Sequence, residues 1–138
     1  MFRVSFDFDD CLSNSEYIQE YCAELVADPK IEVWIVTSRP RNPDEFFNRS
    51  ENPTDNPWQN EDDLFPLADR LGVPRERIVF TEWEWKSTWF KTCNLEFRWH
   101  LDDNSKEIRE LAGITGGPTP ISCTQPNWIN KCNRLLLK

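Results

Sequence analysis

The chain has 138 residues, 38% hydrophobic and 29% charged, with a formal net charge of -8. That length suits one domain able to bury a core, and the acidic balance speaks against broad, salt-driven attachment to nucleic acid, which runs on Lys and Arg. No apolar run approaches the roughly 20 residues of a membrane span, and the opening MFRVSFDFDD turns acidic before a signal-peptide core forms, so a cytoplasmic protein with no membrane attachment is expected.

The first strand is predicted over Phe2 to Asp7, an apolar-rich run ending in carboxylates. A helix follows at once: Ser13 and Glu16 have capping-box spacing, and Tyr17, Ile18, Tyr21, Cys22, Leu25 and Val26 recur at helical intervals until Pro29. Ile31 to Val36, IEVWIV, reads as a strand covered on both faces, which gives a β-α-β unit with a parallel pair. Residues 39–62 hold four of the ten prolines and show no periodic face, so they read as a long surface loop, either a lid over whatever site the preceding strand carries or a solvated excursion with no catalytic role.

Helical spacing resumes at Leu64, Leu67, Ala68 and Leu71; Asp63 as N-cap places Pro66 in the first turn, and Gly72 ends the helix. A third strand is predicted at Ile78 to Thr81, a short helix at Ser87 to Cys93, and a fourth strand at Glu96 to Leu101, again with acids at its end. A helix capped by Asn104 or Ser105 runs to Gly113. A fifth strand at Ile121 to Cys123 and an amphipathic stripe from Trp128 to Leu136 complete the alternation. The expected fold is α/β: a three-layer, Rossmann-like arrangement of about five parallel strands with helices on both faces.

Five cysteines, Cys11, Cys22, Cys93, Cys123 and Cys132, form an odd set without CxxC spacing and read as reduced thiols. Cys123, Cys132 and the lone His100 as zinc ligands are the weaker alternative to structural roles.

Ligands of open parallel sheets bind at the C-terminal ends of the strands. Four places in this chain fall there: Asp7 and Asp9 in FDFDDCLS, Thr37 in VWIVTSRP, Lys86 after the third strand, and Asp102 with Asp103 in RWHLDDNS. Carboxylates converging in a cleft call for a neutralising cation, and a hard cation with oxygen ligands describes magnesium. With a cation and a lysine screening a phosphate, a carboxylate can attack phosphorus.

The order of these motifs resembles the haloacid dehalogenase superfamily: DxD on the first strand, Thr or Ser after the second, a lysine, then paired acids. The likeness covers residues 2 to about 112. It implies a phosphatase in which Asp7 is the nucleophile and Asp9 protonates the leaving group and later activates water. Thr37 would hydrogen-bond the phosphoryl oxygens and Lys86 would offset charge on the nucleophile and phosphate. Mg2+ would be held by Asp7, the backbone carbonyl of Asp9 and one acid of the pair Asp102 and Asp103, with Asp103 favoured; Ser38 and Arg39, next to Thr37, are further candidates for binding substrate. An acid two residues after the nucleophile goes with phosphoryl rather than halide chemistry, because an alkoxide leaving group needs a proton. Cys11 stands where the superfamily usually has Thr or Val, a mild departure read as packing. The order of the motifs excludes a two-component receiver domain, in which the lysine comes last.

The large inserted caps of that superfamily have no counterpart here, which leaves an open site for a nucleotide, for a nucleic-acid 3'-phosphate end, or for a homo-oligomer in which a partner subunit covers it. Trp83, Trp85 and Trp89 surround Lys86 and Trp58 lies in the long loop, so base stacking competes with simple packing for these rings. Arg39 and Arg41 are candidates for a second phosphate. Residues 41–70 carry eight acids against three bases and residues 104–138 five bases against two acids, so the end with Lys131, Arg134 and Lys138 is the one suited to an anionic partner. The alternative to catalysis is a binding protein on the same scaffold.

Overall fold

A computed structural model of the protein describes residues 1–43, 45 and 59–137. The first strand, β1 (Phe2–Phe6), is buried from Val4 onward and pairs in parallel with β2 (Ile31–Thr37) on one side and β4 (Trp99–Asp102) on the other. With β3 (Ile78–Phe80) beside β2 and β5 (Thr119–Ser122) beside β4, the sheet has the order β3-β2-β1-β4-β5, all parallel. The chain winds outward from β1 to β3, then crosses to the other side of β1 for β4. The crevice between β1 and β4 is therefore the topological switch point of an open α/β sheet.

Side-chain alternation assigns the two faces. Val4, Phe6, Val33, Ile35, Trp99, Leu101 and Ile121 cluster with buried residues of α1 (Glu16–Val26), α2 (Leu64–Leu71) and α5 (Trp128–Leu135). On the opposite face Trp34, Val36 and Val79 pack with Phe90 of α3 (Lys86–Thr92), Leu111 of α4 (Ser105–Ala112) and Phe97. These layers make the Rossmann-like three-layer fold that the alternation of elements predicts. No helix among the described residues is long and apolar enough to cross a membrane.

The helix borders follow from local chemistry. Asp63 caps α2 through its carboxylate and the Leu64 N–H, which leaves Pro66 in the first turn where a missing donor costs nothing. Gly72 closes that helix at φ +88°, a left-handed conformation in which a side chain is unfavourable. The start of α1 differs from expectation: Ser15, not Ser13, accepts from the Ile18 N–H. Residues Leu12–Asn14 first form a 3-10 turn that drives Leu12 into the core, and the Ser13 hydroxyl serves the Asp10 N–H in that turn.

Strand β4 begins at Trp99 rather than Glu96, because its pairing with β1 starts at Val4 opposite Trp99 and Phe97 turns instead into the second core cluster. Strand β5 starts two residues earlier than predicted and contains Pro120. As the edge strand it pairs with β4 alone, so a residue without an N–H is tolerated there.

Candidate active site

The alternation that sends Val4 and Phe6 into the first core places Ser5 and Asp7 on the side of α3 and α4, and the same parity in β4 places His100 and Asp102 beside them. Ser5 and His100 are register partners, and the Ser5 Oγ lies 2.8 Å from His100 Nδ1. His100 Nε2 is 2.8 Å from Asp102 Oδ2. Lys86 reaches in from the start of α3 and donates from Nζ to Asp102 Oδ2 and to Asp7 Oδ1, each at 2.6 Å. The result is one buried chain, Ser5–His100–Asp102–Lys86–Asp7, ending at the switch-point crevice.

The electrostatics follow from this order. Burial raises the Asp7 carboxyl well above its ordinary value despite the Lys86 charge, because Asp102 and Asp103 crowd it. Burial works the same way on Asp102, but the His100 hydrogen bond and Lys86 outweigh it and hold that carboxyl well below the usual range; the Asn104 N–H adds a further bond to its Oδ1 at 3.0 Å. Burial disfavours the Lys86 ammonium, yet two carboxylates in contact keep it charged with a raised pKa. Burial lowers the His100 pKa. A neutral imidazole carrying hydrogen on Nε2 satisfies both neighbours, since a carboxylate can only accept and the serine hydroxyl can donate to Nδ1.

Among the described residues, carboxylate oxygens of Asp7, Asp102 and Asp103 lie within 4.8 Å of one another, a grouping able to hold a cation. Asp102 is already engaged by Lys86, His100 and the Asn104 N–H. Asp103 is half-buried and its pKa is raised, first by burial and also by the Asp102 charge. Asp7, which shares the Lys86 ammonium with Asp102, and Asp103, to which no cation is paired among the described contacts, are the acids with most to gain from a cation, and their hard oxygens suit magnesium. His100, Cys123 and Cys132 do not come together as a metal-binding group.

The remaining predicted site residues surround this centre. Thr37 is buried at the end of β2, its hydroxyl accepting from the Arg39 N–H at 3.3 Å, and Ser38 follows at the surface of a cleft. Asp9 lies beyond β1 with its carboxylate turned to Arg39, which donates from Nε to Oδ2 at 2.9 Å and from Nη2 to Oδ1 at 2.7 Å. The Arg39 guanidinium is only 3% exposed. It also forks onto Asp63 through two 2.8 Å bonds, contacts Asn60 Oδ1 at 3.1 Å and stacks 4.8 Å over the Phe8 ring. Asn60 in turn donates to the carbonyls of Pro40 and Arg41. Arg41 lies over the Phe80 ring. Cys11 is buried in the first core. Trp58, Lys138 and most of the 39–62 loop fall outside the described residues.

Several participants escaped sequence reasoning. Ser5 and His100 carried a readable signal, because each sits two residues from an acid on its strand and so shares its face. Glu107, which accepts from the Lys86 N–H at 3.2 Å, and Asn60 carried none, since each is placed by tertiary packing. Compared with known proteins, the chain matches no family model, no curated protein and no solved structure.

Proposed function

We propose that the chain is a magnesium-dependent phosphatase of the haloacid dehalogenase type, hydrolysing phosphomonoesters such as nucleotides or nucleic-acid 3'-phosphate ends through an aspartyl-phosphate on Asp7. The observation that carries this reading is the contact of one buried ammonium, Lys86, with two carboxylates at the switch point, one of them stabilised as an anion and the other, Asp7, left at the open end.

Asp7 attacks phosphorus with a carboxylate oxygen, forming an acyl-phosphate bond as the bond to the leaving oxygen breaks. Lys86, donating to Asp7, offsets negative charge as it builds on the attacked phosphoryl group, with no reorganisation needed at the moment of reaction. Asp9 supplies the proton to the leaving alkoxide and takes one from the water that then cleaves the acyl phosphate. Thr37 and Ser38, at the neighbouring strand end, orient the phosphoryl oxygens. Asp7, Asp103 and the backbone carbonyl of Asp9 would hold Mg2+, which when bound neutralises phosphate charge. Asp102 and His100 act behind Lys86, fixing its ammonium between the two acids.

Release of phosphate from a generic phosphomonoester, with and without magnesium, tests the proposal on the native chain beside Asp7→Asn. Metal-dependent turnover that vanishes in the variant supports it. Negligible rates for both, with no cation binding, would favour the alternative of a binding protein on this scaffold.

A further inference from the structure

Next to the acid cluster the surface is hollowed into a cavity of about 310 Å³ whose walls include Ser38, Trp83, Trp85, Lys106 and Glu107. Three links tie it to the proposed phosphate site: Ser38 directly follows Thr37, Trp85 directly precedes Lys86, and Glu107 accepts from the Lys86 N–H. A substrate phosphate at Asp7 and Lys86 therefore has this hollow as the neighbouring space for the rest of the molecule.

Two of the residues that line it are tryptophans with large exposed surface: Trp83 is 54% and Trp85 46% exposed. They are not carried on a loose loop. Glu82 and Trp83 hold left-handed backbone conformations, φ 53° and 66°, which side chains with a Cβ rarely adopt. Three hydrogen bonds enforce this path, from the Thr81 N–H to the Thr37 carbonyl at 2.9 Å, from the Glu82 N–H to the Arg39 carbonyl at 3.3 Å, and from the Trp83 N–H to the Ser38 carbonyl at 2.8 Å. The segment bearing the rings is thus stitched to the segment bearing the phosphate-site threonine. Such enforced conformations at non-glycine residues gather where function requires a fixed presentation.

The charge of the walls narrows the ligand. The lining holds two acids, Glu84 and Glu107, against one base, Lys106, which does not favour a second phosphate there. A neutral planar ring is the ligand that exposed tryptophans favour, by stacking. We infer that this cavity is the subsite that stacks the nucleobase of the substrate, and that the preferred substrates carry a base next to the phosphate, in a mononucleotide or at a nucleic-acid end. This rests on the phosphatase reading above.

The test compares a nucleoside monophosphate, a 3'-phosphorylated oligonucleotide and glycerol phosphate as substrates of the native chain with magnesium. Base stacking on an aromatic residue predicts a KM about 5- to 150-fold lower for at least one base-bearing substrate than for glycerol phosphate. Whichever of the two is preferred identifies the source of the base. Trp83→Ala and Trp85→Ala should shrink that preference through KM, and Trp83→Phe should restore it. A preference surviving both alanine variants, or equal KM for all three substrates, would overturn the inference. Quenching of tryptophan fluorescence by a nucleoside without phosphate, measured on Asp7→Asn, separates the two proposals. Saturable quenching lost in Asp7→Asn/Trp85→Ala supports the subsite even if no phosphatase activity is found, and its absence beside an active phosphatase removes the subsite alone.

Discussion

Arg39 grips both carboxylate oxygens of Asp9 through a planar fork, Nε to Oδ2 at 2.9 Å and Nη2 to Oδ1 at 2.7 Å. The same guanidinium holds Asp63, the cap of α2, so the proposed acid/base residue and the start of a helix hang from one buried cation. An error of about 1 Å in placing a reacting group can cost about 10²-fold in rate. Arg39→Gln should lower kcat by about that factor. Arg39→Lys should not rescue it, because an ammonium cannot match the bidentate geometry. Steady-state kinetics on both variants, with a thermal melt to confirm folding, decides the matter; full activity in the lysine variant would count against the clamp.

Cation binding should release protons. Asp7 and Asp103 both have raised pKa values, so each keeps its proton to a higher pH than a free carboxyl does, and a divalent ion bound in that range must displace it. Magnesium affinity should therefore rise with pH and fall away on acidification through these raised values. Calorimetric titration in two buffers of different ionisation heat counts the protons released, and Asp7→Asn should lower the count; a pH-independent affinity would contradict the assignment.

His100 gives the fold a defined acid sensitivity. Its pKa is lowered by burial from the ordinary 6.5, so the unfolded chain takes up a proton before the folded one does. Stability contributed by the neutral ring is complete above pH 6.5 and declines as pH falls from there toward the folded value. Urea midpoints measured across pH 5 to 8 should show this decline. In His100→Gln the slope near 6.5 should disappear while stability at pH 8 drops by about 1–3 kcal/mol, the cost of disturbing buried hydrogen bonds to Ser5 and Asp102.

Gly72→Ala is expected to destabilise. Its φ of +88° is unfavourable for a side chain, and a Cβ there would approach Val26 Cγ1 to 2.9 Å. The left-handed conformation alone costs about 1–2 kcal/mol for an alanine, so the urea midpoint should fall with the slope unchanged.

The sequence made the layers readable because period-2 alternation and helical stripes are properties of neighbouring residues. The IEVWIV run is covered on both faces, as its continuous apolar character implied, and Leu64, Ala68 and Leu71 face the core as their helical spacing implied. The approach of Asp7, Lys86, Asp102 and Asp103 was equally legible once strand ends were located, since topology brings those ends together. Less legible were features decided by competition. Ser13 and Ser15 offer the same hydroxyl, and only the demand for Leu12 in the core selects the second as cap. Glu96 has strand-forming neighbours, but its carbonyl is met by the Arg3 side chain and the paired register of β1 with β4 begins only at Val4 opposite Trp99. The partnership of Arg39 with Asp63 spans 24 positions and depends on how the chain returns from the 39–62 segment, which no local pattern encodes.

The shared parity of Ser5, Asp7, His100 and Asp102 has a consequence for errors in folding. A slip of one residue in the pairing of β1 would turn Ser5 and Asp7 toward Tyr21 and Trp99, and Phe6 toward His100. Core and candidate site would be lost in the same step, because both depend on the same alternation. On the phosphatase proposal, turnover in a refolded chain would then report on the alignment of β1 without any structural measurement.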